Sequence, residues 1–185
     1  MGATMNAFQK ASIVEAESMR RLMPWLERRA KNGHLVTTAK GRLSKELQTR
    51  YGDILLDSEQ RGLTAIECKA EKHQRETENL FLETWSNLSR FTPGWMLTLD
   101  ADVLLYHFLD GYRGERLYAI LFDDLRDWAF RQINTYGYIG KLWECPARPQ
   151  AQYDQMNDTW GRLAPIARLT TEAGLTDITQ FIRTE

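Results

Sequence analysis

The run Leu63-Thr64-Ala65-Ile66-Glu67-Cys68-Lys69-Ala70-Glu71 constrains the fold of this chain more than any other segment. Read as a β-strand, it sends successive side chains to opposite faces, so Glu67 and Lys69 share one face about 7 Å apart along the chain. Ile66 and Cys68 then point the other way. A slip of one residue would drive the two charges into the core, so the register of this strand is strongly specified. The chain must therefore build a sheet with one apolar face at this strand and a charged cleft on the other.

The segments on either side supply such a sheet. Residues 7–31 read as an amphipathic helix, with Ala11, Met19, Leu22, Met23 and Leu26 at spacings of three and four. Pro24 should bend it or divide it in two, and Gly33 ends it. Strands are expected over His34–Ala39, Leu47–Leu56, Leu63–Glu71 and Leu80–Ser86, with a polar turn at Asp57–Gly62 and a charged loop over residues 72–78. Pro93 and Gly94 mark a turn, and Trp95–Asp102 reads as a short helix or irregular link. Val103–Leu109 and Arg116–Leu121 read as strands joined across Gly111–Gly114, followed by a helix over Asp123–Ile133 capped by Asp123 or Asp124. A tail from about residue 141 carries Trp143, Pro146, Pro149 and Trp160, and ends in a short helix near Thr176–Arg183. The order points to an α/β (α+β) fold, a central mixed sheet flanked by helices. At 185 residues we expect one domain, with a core over residues 1–140 and a C-terminal extension, 141–185, packed on it.

Hydrophobic residues make 43% and charged residues 26% of the chain, a globular composition that argues against long disordered tracts. The net charge of −1 conceals an uneven distribution: residues 28–50 carry Arg28, Arg29, Lys31, Lys40, Arg42, Lys45 and Arg50 against Glu46 alone. Such a stretch is either a solvated face or a phosphate-binding surface. Cys68 and Cys145 make no disulfide framework and no zinc spacing, which suits a reducing interior. No stretch approaches the roughly 20 apolar residues of a membrane helix, and no secretory leader is evident, so a cytoplasmic protein is expected.

Two carboxylates and a lysine are a minimal set for hydrolysing a phosphodiester, because the acids can hold a hard divalent cation and the ammonium can serve the water or the developing charge. A hairpin through Gly62 would bring Asp53, upstream of the preceding apolar run, to Glu67. Gly52-Asp53 followed by Ile66-Glu67-Cys68-Lys69 resembles the PD-(D/E)XK nuclease superfamily, which includes type II restriction endonucleases and Holliday-junction resolvases. The resemblance runs from about Ala11 to Trp128 and departs at Gly52, where the loose consensus has proline. Asn79-Leu80-Phe81-Leu82-Glu83, Pro93-Gly94-Trp95, Ala101-Asp102 and Tyr106 also resemble small members found in phages and prophages. The resemblance implies a restriction-endonuclease-like core and a Mg²⁺-dependent DNA endonuclease, with Mn²⁺ able to substitute. It further implies Asp53 and Glu67 as metal ligands, assisted by the backbone carbonyl of Cys68, with Lys69 orienting the water or stabilising the phosphate. A glutamate on the first helix belongs to the same pattern; Glu15 lies on the apolar stripe and is preferred, with Glu17 as the fallback. Glu83 would join the metal shell or pair with Lys69.

Each of these has a plainer reading. A Glu-x-Lys pair on a strand is commonly a solvent-facing ion pair, and Glu15 an ordinary helix-surface residue. Lys40, Arg42, Lys45, Arg50, Lys72, His73 and Arg75 would contact DNA, or would simply be solvated. His34, His73 and His107 share no metal spacing. Trp85, Trp95, Tyr106 and Trp128 read as core rather than as base-stacking platforms, and Asp100 and Asp102 as turn caps. Paired cuts would call for a homodimer. The competing functions are a resolvase of branched DNA and a DNA-binding or inhibitory protein that keeps the fold without cutting.

Overall fold

The computed structural model describes residues 7–31, 35–37, 42–71, 78–111, 114–130, 144–146 and 158–183. The chain is mixed α/β and groups into two compact units. The first takes residues 1–77, 101–119 and 176–185, and the second residues 78–100 and 120–175.

The first unit opens with α1 (Ala7–Glu27), which continues through Pro24 as a single helix. It stops four residues short of the expected end, in a turn where Arg29 N–H donates to the Leu26 carbonyl at 2.9 Å. There follow β1 (Leu35–Thr37), α2 (Arg42–Tyr51), β2 (Ile54–Ser58) and β3 (Gly62–Glu71), and later β6 (Val103–Gly111), β7 (Gly114–Leu121), β10 (Thr176–Asp177) and α6 (Gln180–Arg183). The six strands form a mixed sheet in the order β1-β2-β3-β6-β7-β10. β2 and β3 are antiparallel with Ile54 opposite Ile66, whereas β3 and β6 are parallel with Glu67 opposite Leu104 and Lys69 opposite Tyr106. The core lies between α1 and one face of this sheet: Leu22, Trp25 and Leu26 pack with Ile54, Leu56, Ile66, Cys68, Leu105 and Leu117. Each such aliphatic side chain, fully buried, contributes about 1.5–3 kcal/mol. β6 is buried along both faces from Leu104 to Leu109, as expected of a near-continuous apolar run beside a parallel neighbour.

Its single polar member is satisfied. His107 is fully buried; its Nε2 lies 2.9 Å from Glu115 Oε1 and its Nδ1 2.9 Å from Ser18 Oγ. A carboxylate only accepts, so Nε2 carries the proton and Nδ1 accepts from the Ser18 hydroxyl. This chain of bonds staples the middle of α1 to β6 and β7. A second staple joins β3 to the start of β6, where Ala65 N–H donates to Asp102 Oδ2 at 2.7 Å and Asp102 N–H to the Ala65 carbonyl at 2.8 Å.

The second unit holds β4 (Asn79–Asn87), β5 (Thr92–Pro93), α3 (Trp95–Thr98), α4 (Phe122–Phe130), β8 (Glu144–Pro146), β9 (Trp160–Pro165) and α5 (Ile166–Glu172). Its sheet runs β5-β4-β9-β8, with β4 antiparallel to β9 and a bulge between Glu83 and Trp85. Trp95 and Phe122 meet at 5.9 Å between ring centroids. Trp85, Trp95 and Trp128 are half-buried and Tyr106 is buried.

The structure corrects two further sequence expectations. Residues 47–51 are not the start of a strand: they belong to α2, in which Leu43, Leu47 and Tyr51 recur every four residues, a helical spacing masked by the apolar Ile54-Leu55-Leu56 that follows. Thr176–Arg183 is not one helix, because Thr176 and Asp177 pair with Ala119 and Tyr118 as β10 before the short α6 begins. Among the described residues no helix is long and apolar enough to cross a membrane.

Candidate metal and phosphate site

The end of α2 and the middle of β3 build the site. α2 ends at Tyr51, and Gly52 N–H closes its last turn on the Gln48 carbonyl at 3.0 Å with Gly52 at φ +90°. That left-handed conformation at a helix C-terminus favours glycine. A Cβ here would stand 2.8 Å from the Ile66 carbonyl and 3.0 Å from Glu67 Oε2, so the position is closed to side chains on two counts. Proline, confined near φ −65°, could not adopt this geometry at all, which accounts for the departure at Gly52 from the motif that the sequence resembles.

The chain then turns Asp53 onto β3. Asp53 N–H donates to the Ile66 carbonyl at 2.9 Å. Its Oδ2 accepts from Cys68 N–H at 3.0 Å and its Oδ1 from Gln48 Nε2 at 2.7 Å. The aspartate is thus oriented from both sides before anything binds. Glu67 is 4% exposed, and its Oε1 meets Lys69 Nζ at 2.5 Å. The Lys69 side chain remains 31% exposed, so the ammonium bridges a buried carboxylate and the surface.

Burial dominates the electrostatics. Desolvation pushes the Glu67 pKa up to about 7 despite the opposing Lys69 charge, and Asp53 and Glu15 add like-charge repulsion. Glu15 is also raised, first by desolvation and then by Asp53, against the pull of Lys69. The Glu15 residue as a whole is exposed. Burial pushes the Cys68 thiol well up, and it has the character of a core group rather than a nucleophile.

Asp53, Glu67 and Lys69 are therefore brought together, with Glu15 near enough to be felt by all three. Glu17 is engaged elsewhere, at 2.8 Å from both Arg20 and Arg21, which holds its carboxyl down at about 2. Glu83 lies on β4 in the second unit, its backbone and Cγ against Gly94, where an added Cβ would meet the Glu83 carbonyl at 2.6 Å. Arg50 stands exposed at the end of α2 with its guanidinium 5.1 Å from the Tyr51 ring centroid. Arg42 and Lys45 are on the same helix. Lys40, Lys72, His73, Arg75 and His34 lie outside the described residues. Among the described residues no three His, Cys, Asp or Glu side chains stand close enough to hold a metal ion by themselves; Asp53 and Glu67 are the two carboxylates that could contribute to one.

Gln48 was missed in the sequence because residues 47–56 read as strand, although Gly52 just after a four-residue apolar repeat is a helix-stop signal. Comparison with family models, with curated proteins and with solved structures gives no match.

Two outcomes follow from this geometry. Gly52→Ala should lower stability by about 1–3 kcal/mol in urea unfolding, from the strained backbone and the clash with β3; an unchanged midpoint would mean that the turn is not held as described. Because the folded-state pKa of Glu67 is raised from the ordinary 4.5 to about 7, its contribution is fully present below pH 4.5 and is lost as the pH rises through 7. In metal-free buffer the loss is on the order of 3 kcal/mol. Glu67→Gln should flatten that part of the stability curve, whereas an identical slope in the variant would contradict the burial of an ionisable Glu67.

Proposed function

We propose that this chain is a divalent-cation-dependent deoxyribonuclease with a restriction-endonuclease-like core, an endonuclease cutting DNA phosphodiesters at the Asp53, Glu67 and Lys69 pocket. The observation that carries this reading is the convergence of two carboxylates and one ammonium on a single partly buried spot, with Asp53 oriented by Gln48 and by Cys68 N–H. A buried ion pair of no chemical use is seldom a gain over apolar packing. Here Glu67 pairs with Lys69 while Asp53 and Glu15 press further negative charge upon it.

The donor set fits a hard cation such as Mg²⁺, or Mn²⁺ in its place. Carboxylate oxygens are its preferred ligands, and a positive charge would relieve Glu67, whose pKa is raised by burial and then by neighbouring acids. Asp53, Glu67 and the Cys68 carbonyl would hold it. When bound, such an ion polarises the scissile phosphate and lowers the pKa of a water molecule. Lys69 offers its ammonium from a half-exposed position, where it can hold the attacking water or stabilise the charge that builds on the phosphate. Gln48 and the Cys68 amide fix the Asp53 carboxylate, so little reorganisation is needed on binding.

Arg42, Lys45 and Arg50 on α2 immediately precede the site in sequence and supply cations for the DNA backbone. Lys40, Lys72, His73 and Arg75, outside the described residues, are proposed as further DNA contacts from the sequence alone. A cytoplasmic setting and a homodimer making paired cuts are part of this reading, the first supported by the free, buried thiol of Cys68.

The test is incubation with supercoiled plasmid, linear duplex, single strand and a four-way junction, each with Mg²⁺, Mn²⁺ or EDTA. Metal-dependent cutting is expected, with Lys69→Ala slower by about 10²–10³ and Asp53→Ala inactive yet still retaining DNA. Preferential cutting of the junction would narrow the role to resolution of branched DNA. DNA retention without cleavage in any metal would overturn the enzymatic reading.

A further inference from the structure

The first unit carries a second concave feature, which reaches from the turn of the β2–β3 hairpin along the core face of the sheet to Ile66. It is a cleft of about 710 Å³. Its floor lies on the sheet face that carries the core, where Val103, Ala119 and Ile178 are only partly buried and rest on Leu56, Ile66 and Leu105. Its rim carries Arg28, Arg29, Lys31 and Arg61, with Glu59 as the one carboxylate among the described lining residues, in a chain whose net charge is −1. Neither the proposed cleavage chemistry nor its metal ligands use any of these residues.

We infer that this cleft is a nucleotide-binding site, taking a nucleoside monophosphate with its base on the apolar floor and its phosphate among the rim cations. The volume lies within the roughly 300–1,000 Å³ of small-molecule sites, which combine an apolar lining with a few polar groups that fix orientation. Here the polar groups are Ser58, Gln60 and Thr64, with donors and acceptors suited to the edge of a base or to a ribose. Trp25 lines the same cleft, is 9% exposed, and has its indole Nε1 buried without a hydrogen-bond partner among the described residues. A buried donor of that kind is costly until an acceptor reaches it, and a nucleotide presents many.

The arrangement of charge leads to the same ligand. Arg29 lies over the Trp25 ring at 4.5 Å, and its pKa is lowered by burial first and by the neighbouring Arg28 second, so an arriving anion relieves both. Guanidinium groups are also the preferred partners of phosphate. A fatty acid would use the floor and the cations but leave Gln60 and Thr64 without a role, whereas Ser58 Oγ already accepts from Arg61 N–H at 3.2 Å in the hairpin turn. Inorganic phosphate would leave the floor exposed.

The test measures binding to the full chain in EDTA, which removes the metal from the proposed cleavage site and keeps the two sites distinguishable. AMP, adenosine, inorganic phosphate and octanoate are titrated while the Trp25 indole N–H resonance is followed. AMP is expected to bind in the submillimolar range and shift that resonance, with each of the other three at least about tenfold weaker. Arg61→Ala and Lys31→Ala, both at exposed positions, should each weaken AMP about tenfold while Asp53→Ala leaves it unchanged. The assignment is overturned if AMP fails to bind at millimolar concentration or binds without moving Trp25. It is equally overturned if AMP is indifferent to both rim substitutions, or if octanoate, adenosine or phosphate binds as tightly.

Discussion

A carboxylate buried beside an ammonium is the constraint around which the first unit is organised. Removing Glu67 from water is expensive, and the Lys69 ion pair does not fully offset the loss, since the carboxyl remains strongly raised in pKa. The surrounding design keeps that expensive group where it is. Gly52 leaves room for Glu67 Oε2 by having no side chain, and Gln48 and the Cys68 amide hold Asp53 where its charge is felt at Glu67. On the proposed reading a hard dication, when bound, would turn mutual repulsion among the acids into shared ligation.

The rest of the sheet makes such a group tolerable. β3 is paired on both sides, antiparallel to β2 and parallel to β6, so Glu67 and Lys69 are carried on backbone that cannot easily shift. Asp102 locks the start of β6 to Ala65, two residues before Glu67. The Ser18, His107 and Glu115 chain ties α1 to β6 and β7 one turn beyond Glu15. These polar contacts are distributed around the site and stiffen its frame, and a functional constellation needs that support in order to hold its geometry.

Much of this was legible in the sequence where a pattern was local. The alternation of Ile66, Glu67, Cys68 and Lys69 announced a strand with a core face and a charged face, and the structure places them so. The helix carrying Glu15 and the two strands around Gly111–Gly114 were likewise readable from periodicity. What escaped was set by neighbours distant in sequence. α2 was hidden because its weak apolar repeat of Leu43, Leu47 and Tyr51 runs into a stronger strand signal, and Gln48 was lost with it. Glu15 and Glu17 differ only in what surrounds them: one meets Asp53 and Lys69, the other a pair of arginines on its own helix. The role of Asp102 depends on a backbone 37 residues away, and the four-stranded sheet of the second unit joins segments as far apart as Glu83 and Gly161. No local pattern encodes those pairings.

The most direct test of the account is a calorimetric titration of the metal-free protein with Mn²⁺ at pH 8, where Glu67 is ionised. The account predicts saturable uptake with release of little or no proton, absent in Asp53→Ala and in Glu67→Gln although both variants remain folded. No uptake by the native chain, or uptake that survives both substitutions, would contradict the claim that these two carboxylates form a cation site.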